Sequence, residues 1–181
     1  MAGPMDQIRH LRVDLDATVR GRWWRWLSVP LQPGTMSIIG YRVSRAAWLA
    51  LGAPYRALHT LLAPLRMLLR PFGGGSLEIH YLADIGPGLR VLHPNLGVVI
   101  SGHAVVGRNL ILTGGNCIGG RLGTTLGNLI VGDDVELGAN AVILGPAVIG
   151  DRVKVGAGAV VVGDAPAGST MVGVPARPVS Q

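Results

Sequence analysis

A carboxylate and an imidazole stand fifteen positions apart at Glu78 and His93. A carboxylate beside an imidazole fixes the ring tautomer and steadies the imidazolium. Such a pair can take a proton from a hydroxyl as it attacks a thioester, a general-base step worth about 10²–10⁴-fold. On the residues alone, a solvated histidine beside an unrelated glutamate is an equal reading. His80 and His103 read as surface residues, and no two histidines are close enough in sequence for a zinc motif, so no metal site is expected. The single cysteine, Cys117, excludes an internal disulfide and reads as a small residue of the chain's repeat rather than a nucleophile.

What must position these groups is a six-residue rhythm. From Val131 to Val162 one slot holds Val131, Leu137, Ile143, Ile149, Val155 and Val161. Four places later comes a small or branched residue: Val135, Ala141, Ala147, Val153, Ala159. The rhythm extends back through Ile100, Val106, Leu112 and Ile118, and before that through Ile79, Ile85 and Val91. A period of six fits neither a lone helix nor an alternating strand. It fits a stacked parallel β-helix, in which coils share one core that none could bury alone. Three repeats make a coil of roughly 18 residues, which places Glu78 and His93 near each other on successive coils. The phase breaks twice. Three extra residues fall around His93–Leu96, and Ile118 to Val131 is one residue more than two repeats, across a polar, glycine-rich interval. Such insertions sit on the outside of a solenoid and are candidate site walls.

The rhythm divides the chain into a basic, Trp-rich segment 1–34, a helical segment 35–75, a solenoid 76–164 and an extended tail 165–181. Apolar content of 49% with 14% charged residues argues against disorder. Thr35–Gly52 and Tyr55–Leu69 have helical spacing, and 72–76 (Phe-Gly-Gly-Gly-Ser) reads as a flexible join. No stretch is apolar enough to span a bilayer, which takes about 20 residues, and the N-terminus lacks the apolar core of a signal peptide. With one cysteine, the expected location is cytoplasmic. Most arginines precede residue 75, so the helical region has two readings: a cap over the open end of the solenoid, or a patch on the inner face of an anionic membrane. No motif or stacking platform accompanies the charge, so nucleic acid is not an expected partner.

The chain resembles the serine acetyltransferase family within the hexapeptide-repeat acyltransferases, and within that group the polysaccharide (colanic-acid type) acetyltransferases. The resemblance covers roughly residues 36–178. It rests on Tyr41-Arg42, Glu78-Ile79-His80 where the family has Asp-Ile-His, and His93. It rests also on Ile118-Gly119-Gly120, the repeats LGANAVILG and VGAGAVVV, and the closing Gly173-Val174-Pro175-Ala176-Arg177. It implies a mainly β fold, a left-handed parallel β-helix with an N-terminal α-helical segment, an exception to right-handed crossovers. It also implies homotrimers, pairing in some members into hexamers, with the site between neighbours. His93 would be the general base and Glu78 its partner. Acetyl-CoA would be the acyl donor, contacted by Gly120, Ala139, Lys154, Ala157 and Arg177.

Two departures bear on the acceptor. The family's aspartate before the histidine is Leu92 here, and its second histidine after the long loop corresponds to a place near Asn128. Leu92 removes a carboxylate that could pair an ammonium. The expected function is therefore O-acetylation of a hydroxyl on a sugar or glycan intermediate, by direct attack and without an acetyl-enzyme. The alternatives are L-serine O-acetylation for cysteine synthesis and, in another class, a non-catalytic scaffold docked on a membrane or a partner.

Overall fold

A computed structural model describes residues 3–19, 33–65 and 77–179. Trp23, Trp24, Trp26 and the expected join at 72–76 lie outside the described residues. Three helices come first: α1 (Pro4–Val19), α2 (Pro33–Leu51) and α3 (Ala53–Leu61). A three-sided prism of parallel strands follows. Its first sheet stacks β1 (Leu77–Ile79), β4 (Val98–Ile100), β7 (Asn116–Gly120), β10 (Val142–Gly145) and β13 (Val160–Val161). The second stacks β2 (Asp84–Ile85), β5 (Ala104–Val106), β8 (Leu129–Val131) and β11 (Ala147–Ile149). The third stacks β3 (Arg90–Val91), β6 (Ile111–Leu112), β9 (Glu136–Leu137), β12 (Lys154–Val155) and β14 (Thr170–Gly173). This is the stacked parallel β-helix that the six-residue rhythm implies, and the left-handed solenoid that the resemblance implies.

The slots of the rhythm are the core. Ile100, Leu112, Ile118, Val131, Leu137, Ile143, Ile149 and Val161 point inward and are buried, as are Ala83, Leu89, Ala104, Leu110, Val135, Ala141, Val153 and Ala159. A buried aliphatic contributes about 1.5–3 kcal/mol, so the ladder of side chains, with no aromatic among them, is the main stabilising term. Asn116 takes one small slot. It is satisfied there: Nδ2 donates to the Gly138 and Ala141 carbonyls, and Oδ1 accepts from the Gly114 N–H.

Coil lengths follow the phase breaks. Asp133 and Asp151 occupy one corner 18 residues apart, the unbroken coil. Glu78 lies on Val99, a step of 21 residues, so the insertion at His93 lengthens the first coil. This corrects the expected placement: Glu78 and His93 belong to one coil, at its start and its last corner, not to successive coils. The third coil steps 25 residues, as between Arg108 and Asp133. The interval Ile118–Val131 therefore turns a single corner, with its surplus in a projecting loop, rather than carrying two repeats. Arg121 ties that loop down by donating to the Gly145 and Val162 carbonyls, while Leu122 at its tip is fully exposed.

The tail is extended but does more than trail. β14 continues the third sheet beyond Asp164, and β15 (Ala176–Val179) folds back on it antiparallel, covering that end of the prism.

The helices cover the other end. Tyr41 Oη donates to the Ala83 carbonyl (3.0 Å) and accepts from the Ile85 N–H (3.2 Å). Arg42, 1% exposed, donates through Nη atoms to the Ile85 and Gly86 carbonyls, and through Nε to Asp14 Oδ2 at 2.8 Å. Asp14 in turn accepts from the Gly88 and Leu89 N–H groups. Arg45 donates to the Leu82 carbonyl and lies 3.5 Å from Asp84. The first coil has no coil beneath it to receive these carbonyls and amides, and α1 and α2 supply the missing partners. The cap reading of the helical segment thus describes α2, and α1 joins it although its sequence carries no clear pattern.

Burial pushes the Asp14 carboxyl above its ordinary value despite the facing guanidinium. The pair therefore fixes position more than it stabilises, and breaking it is costly because a buried charge is left alone. Asp14→Ala should lower unfolding free energy by about 3–5 kcal/mol, read from the urea midpoint. Arg9→Ala, which removes the exposed pair with Asp6, should leave that midpoint in place.

Candidate active site

His93 ends the third face of the first coil and precedes a single 3-10 turn, Pro94–Leu96. Proline at the first position of that turn fixes φ and needs no N–H partner. The His93 N–H donates to the Thr113 carbonyl at 2.9 Å, and its carbonyl accepts from Leu96. The backbone is pinned while the ring is exposed.

The same corner then descends through the coils. Thr113 N–H donates to Leu137, Gly138 N–H to Val155 and Gly156 N–H to Met171. Ala139 and Ala157 sit in this column, joined by the bond from Gly158 N–H to the Ala139 carbonyl. At about 4.8 Å per coil, Ala157 lies about 14 Å below His93. Lys154 stands exposed on β12 just ahead of the same corner, its Nζ 4.0 Å from Glu136 Oε2. Arg177 is exposed on β15, opposite Val172 of β14. One corner therefore carries an imidazole at one end, small residues along its length and two cations at the other.

Two expected site residues are not part of this ladder of backbone bonds. Gly120 ends β7 at the far edge of the first sheet, under Thr124 of the projecting loop. Glu78 is exposed on β1, the strand beneath β4, into which the His93 corner leads. Among the described residues no hydrogen bond or ion pair joins Glu78 to His93. The histidine that Glu78 influences is His80, whose pKa is lowered by burial and by His103 and raised by Glu78. His80 stacks on Tyr81 with centroids 4.7 Å apart, and His103 meets Ser101 Oγ, so both are coil-corner residues. Cys117 faces outward on β7, half-buried, and burial pushes its thiol pKa up, the direction that makes a cysteine inert. Among the described residues no group of His, Cys, Asp and Glu could hold a metal ion.

The wall beside His93 is built from the helices. A cleft of about 250 Å³ lies between the end of α1, the start of α2 and the inserted turn, lined by Thr18, Thr35, Ile38, Leu92, Pro94 and Asn95 among others. Sequence reasoning missed the two glycines that shape it. A Cβ on Gly34 would lie 2.5 Å from Pro94 Cβ, and a Cβ on Gly114 would lie 2.5 Å from the His93 carbonyl oxygen. Gly114 also has φ +137°, which disfavours any side chain. The pair Gly114-Gly115 beside the phase break was the available signal. Gly34 had none, since its partner is sixty residues away.

Comparison with known proteins is decisive at this point. A family model for bacterial transferase hexapeptide (six repeats) matches residues 128–163. Serine acetyltransferases from two Helicobacter pylori strains are each 34% identical over 176 residues, covering 87% of this chain and 87% of theirs. The chain belongs to the serine acetyltransferase family. Its fold superposes on Neisseria gonorrhoeae serine acetyltransferase in complex with serine at a TM-score of 0.77, with 31% identity over 96% of this chain and 69% of that one. The soybean serine acetyltransferase apoenzyme gives a TM-score of 0.74 at 34% identity, again over 96% of this chain and 69% of the other. A serine acetyltransferase in complex with CoA gives 0.73 at 28% identity, with the same two coverages. The protein is thus an acetyl-CoA-dependent acyltransferase of the serine acetyltransferase type, and the non-catalytic scaffold gives way to an enzyme.

With His93 as the expected general base, the turn after it must be held still, because displacement of a catalytic group by about 1 Å costs roughly 10²-fold. Gly34→Ala should therefore lower kcat by about 10–10²-fold while leaving the affinity for CoA unchanged. Adding Pro94→Gly, which removes the atoms a new Cβ would strike, should restore part of the loss in the same steady-state assay.

Proposed function

We propose that the protein transfers acetyl from acetyl-CoA to the hydroxyl of L-serine, with His93 as general base. The observation that carries the donor side is the corner column: imidazole above, Ala139 and Ala157 along it, Lys154 and Arg177 at the far end. A pantetheine arm along small residues brings the thioester to His93 and leaves the phosphates with the two cations. Family membership and the likeness to a serine complex favour L-serine over the sugar hydroxyl that the sequence alone suggested.

The unprotonated nitrogen of His93 takes the hydroxyl proton as the serine oxygen attacks the thioester carbonyl. Backbone N–H groups stabilise the oxyanion. The C–S bond breaks, the imidazolium returns its proton to the departing thiolate, and O-acetylserine and CoA thiol leave. Glu78, on the strand beneath the one His93 leads into, is the carboxylate proposed to steady the imidazolium. The subunits are proposed to form homotrimers, with the exposed Leu122 and Leu126 of the long loop reaching a neighbour. The basic N-terminal region is proposed as a peripheral membrane contact.

A second reading, a sugar or glycan hydroxyl as acceptor, is favoured by Leu92. It is exposed in the cleft wall where a carboxylate would pair the ammonium of serine. Release of CoA thiol against L-serine and against a panel of sugars separates the two. Saturable turnover with L-serine supports the first, and turnover with sugars alone transfers the assignment to the second. His93→Ala should lower kcat by about 10²–10⁴-fold with either acceptor and leave CoA binding intact. Unchanged turnover in that variant removes the general-base role. Cys117→Ser should leave turnover unchanged, since no acetyl-cysteine forms, and no acetyl adduct should appear by mass spectrometry of the enzyme quenched with acetyl-CoA.

A further inference from the structure

Helix α3 has three distinct sides. Tyr55 and His59 face the protein, where Tyr55 and Tyr81 meet edge-on with centroids 5.3 Å apart and Trp48 lies 5.7 Å from Tyr81. Arg56 and Thr60 form a polar side. The remaining side of α3 and the turn that follows it carries Leu58, Leu61, Leu62 and Leu65, at the i, i+3, i+4, i+7 spacing of a single helical face. All four are exposed, Leu61 at 76%. The aromatic cluster therefore locks the helix against the first coil and presents a leucine strip outward, with little ordering left to do on binding.

Charge identifies the occupant. From residue 17 to residue 77 the sequence contains eight arginines and neither aspartate nor glutamate. Arg42 and Arg45 are buried in the cap, but the others, with Trp23, Trp24, Trp26 and Arg66-Met67-Leu68-Leu69-Arg70 directly after the strip, have no acidic neighbour in sequence. A second copy of the chain is a poor fit. An isologous contact would set like charges together, and a strip about 11 Å long on a helix about 10 Å across falls far short of the ~800 Å² per partner of a stable interface. A basic segment with an apolar helical face is the pattern of a helix lying in a membrane interface. Among the described residues no helix is long and apolar enough to cross a membrane, so α3 can meet a bilayer only at its surface. We propose that the leucine face of α3 docks the enzyme on an anionic lipid bilayer. The proposal is independent of the acyl acceptor.

The test is co-sedimentation of the full chain with vesicles of phosphatidylcholine alone and of an equimolar mixture with phosphatidylglycerol. Binding to the mixed vesicles only, weakened by salt, is expected. Leu61→Glu with Leu65→Glu should weaken it by at least about tenfold, with circular dichroism and CoA-thiol release unchanged. Should that pair misfold, Leu61→Ser, at the most exposed position, should still weaken binding several-fold. The proposal is overturned if the full chain stays in the supernatant with anionic vesicles, or if the leucine variants sediment like the parent. A lower mass by light scattering in the variants, without lipid binding by the parent, overturns it in favour of a second copy.

Discussion

Strands in this molecule stack only where each coil returns to the same three corners. The inward residues of one coil lie on those of the next, and a shift of one residue would turn aliphatics outward and polar groups inward. That constraint makes the prism stiff along its length. It also makes one corner a straight backbone ladder, from His93 through Thr113 and Leu137 to Val155 and Met171. A long flexible donor needs such a track: regular, lined by small residues, and with its reactive end and its charged end at a fixed separation. On the proposed function, the repeat supplies the donor groove as a by-product of folding.

The insertions are tolerated because they leave the stacking alone. Three residues at His93 bulge from a corner and β4 still lies on β1. The surplus after Gly120 loops outward and β8 still lies on β5. Both stay ordered through local bonds, the first by His93 and Thr113, the second by Arg121 and by Asn128, which accepts from the Thr125 N–H. The first coil is a different problem, because nothing lies beneath it. Tyr41, Arg42 and Asp14 answer its open carbonyls and amides with side chains, at the cost of burying a guanidinium and a carboxylate. That requirement brings α2 against the inserted turn, so Gly34 touches Pro94. Capping the solenoid and shaping the cleft beside His93 are one piece of construction.

The solenoid was legible because its signal is local and repeated. Val131, Leu137 and Ile143 need no knowledge of distant contacts to be read as one column, and the two phase breaks mark where the column is interrupted. What the interruptions do was only partly legible. Thirteen residues from Ile118 to Val131 read as too polar and glycine-rich for regular coil, but a count of sixes cannot tell how many corners they turn. Stacking decides, because β8 must meet β5. Fifteen residues between Glu78 and His93 fall short of even an unbroken coil of eighteen, so the interval sets the pair at the two ends of one coil, and taking it as a step between coils overcounts it. Gly34, Asp14 and the aromatic cluster around Tyr81 were invisible for a plainer reason. Their roles rest on partners tens of residues away, and nothing in their immediate sequence names those partners.

The division of labour between repeat and insertion has a consequence for acceptor choice. Ala139, Ala157 and Lys154 belong to the repeat, on a corner whose backbone is bonded to the coils above and below. Leu92, Asn95 and Thr35 belong to the turn and to the helix end, where a change reshapes the cleft without moving a strand. An enzyme built this way can exchange one hydroxyl acceptor for another while the donor track stays fixed. Leu92, in place of the family's aspartate, is such a change. On the proposed function it alters the wall that meets the acceptor, and it leaves untouched the backbone bond that holds His93 to Thr113. On that reading the solenoid sets the transfer chemistry, and a few side chains that it carries set the identity of the acceptor.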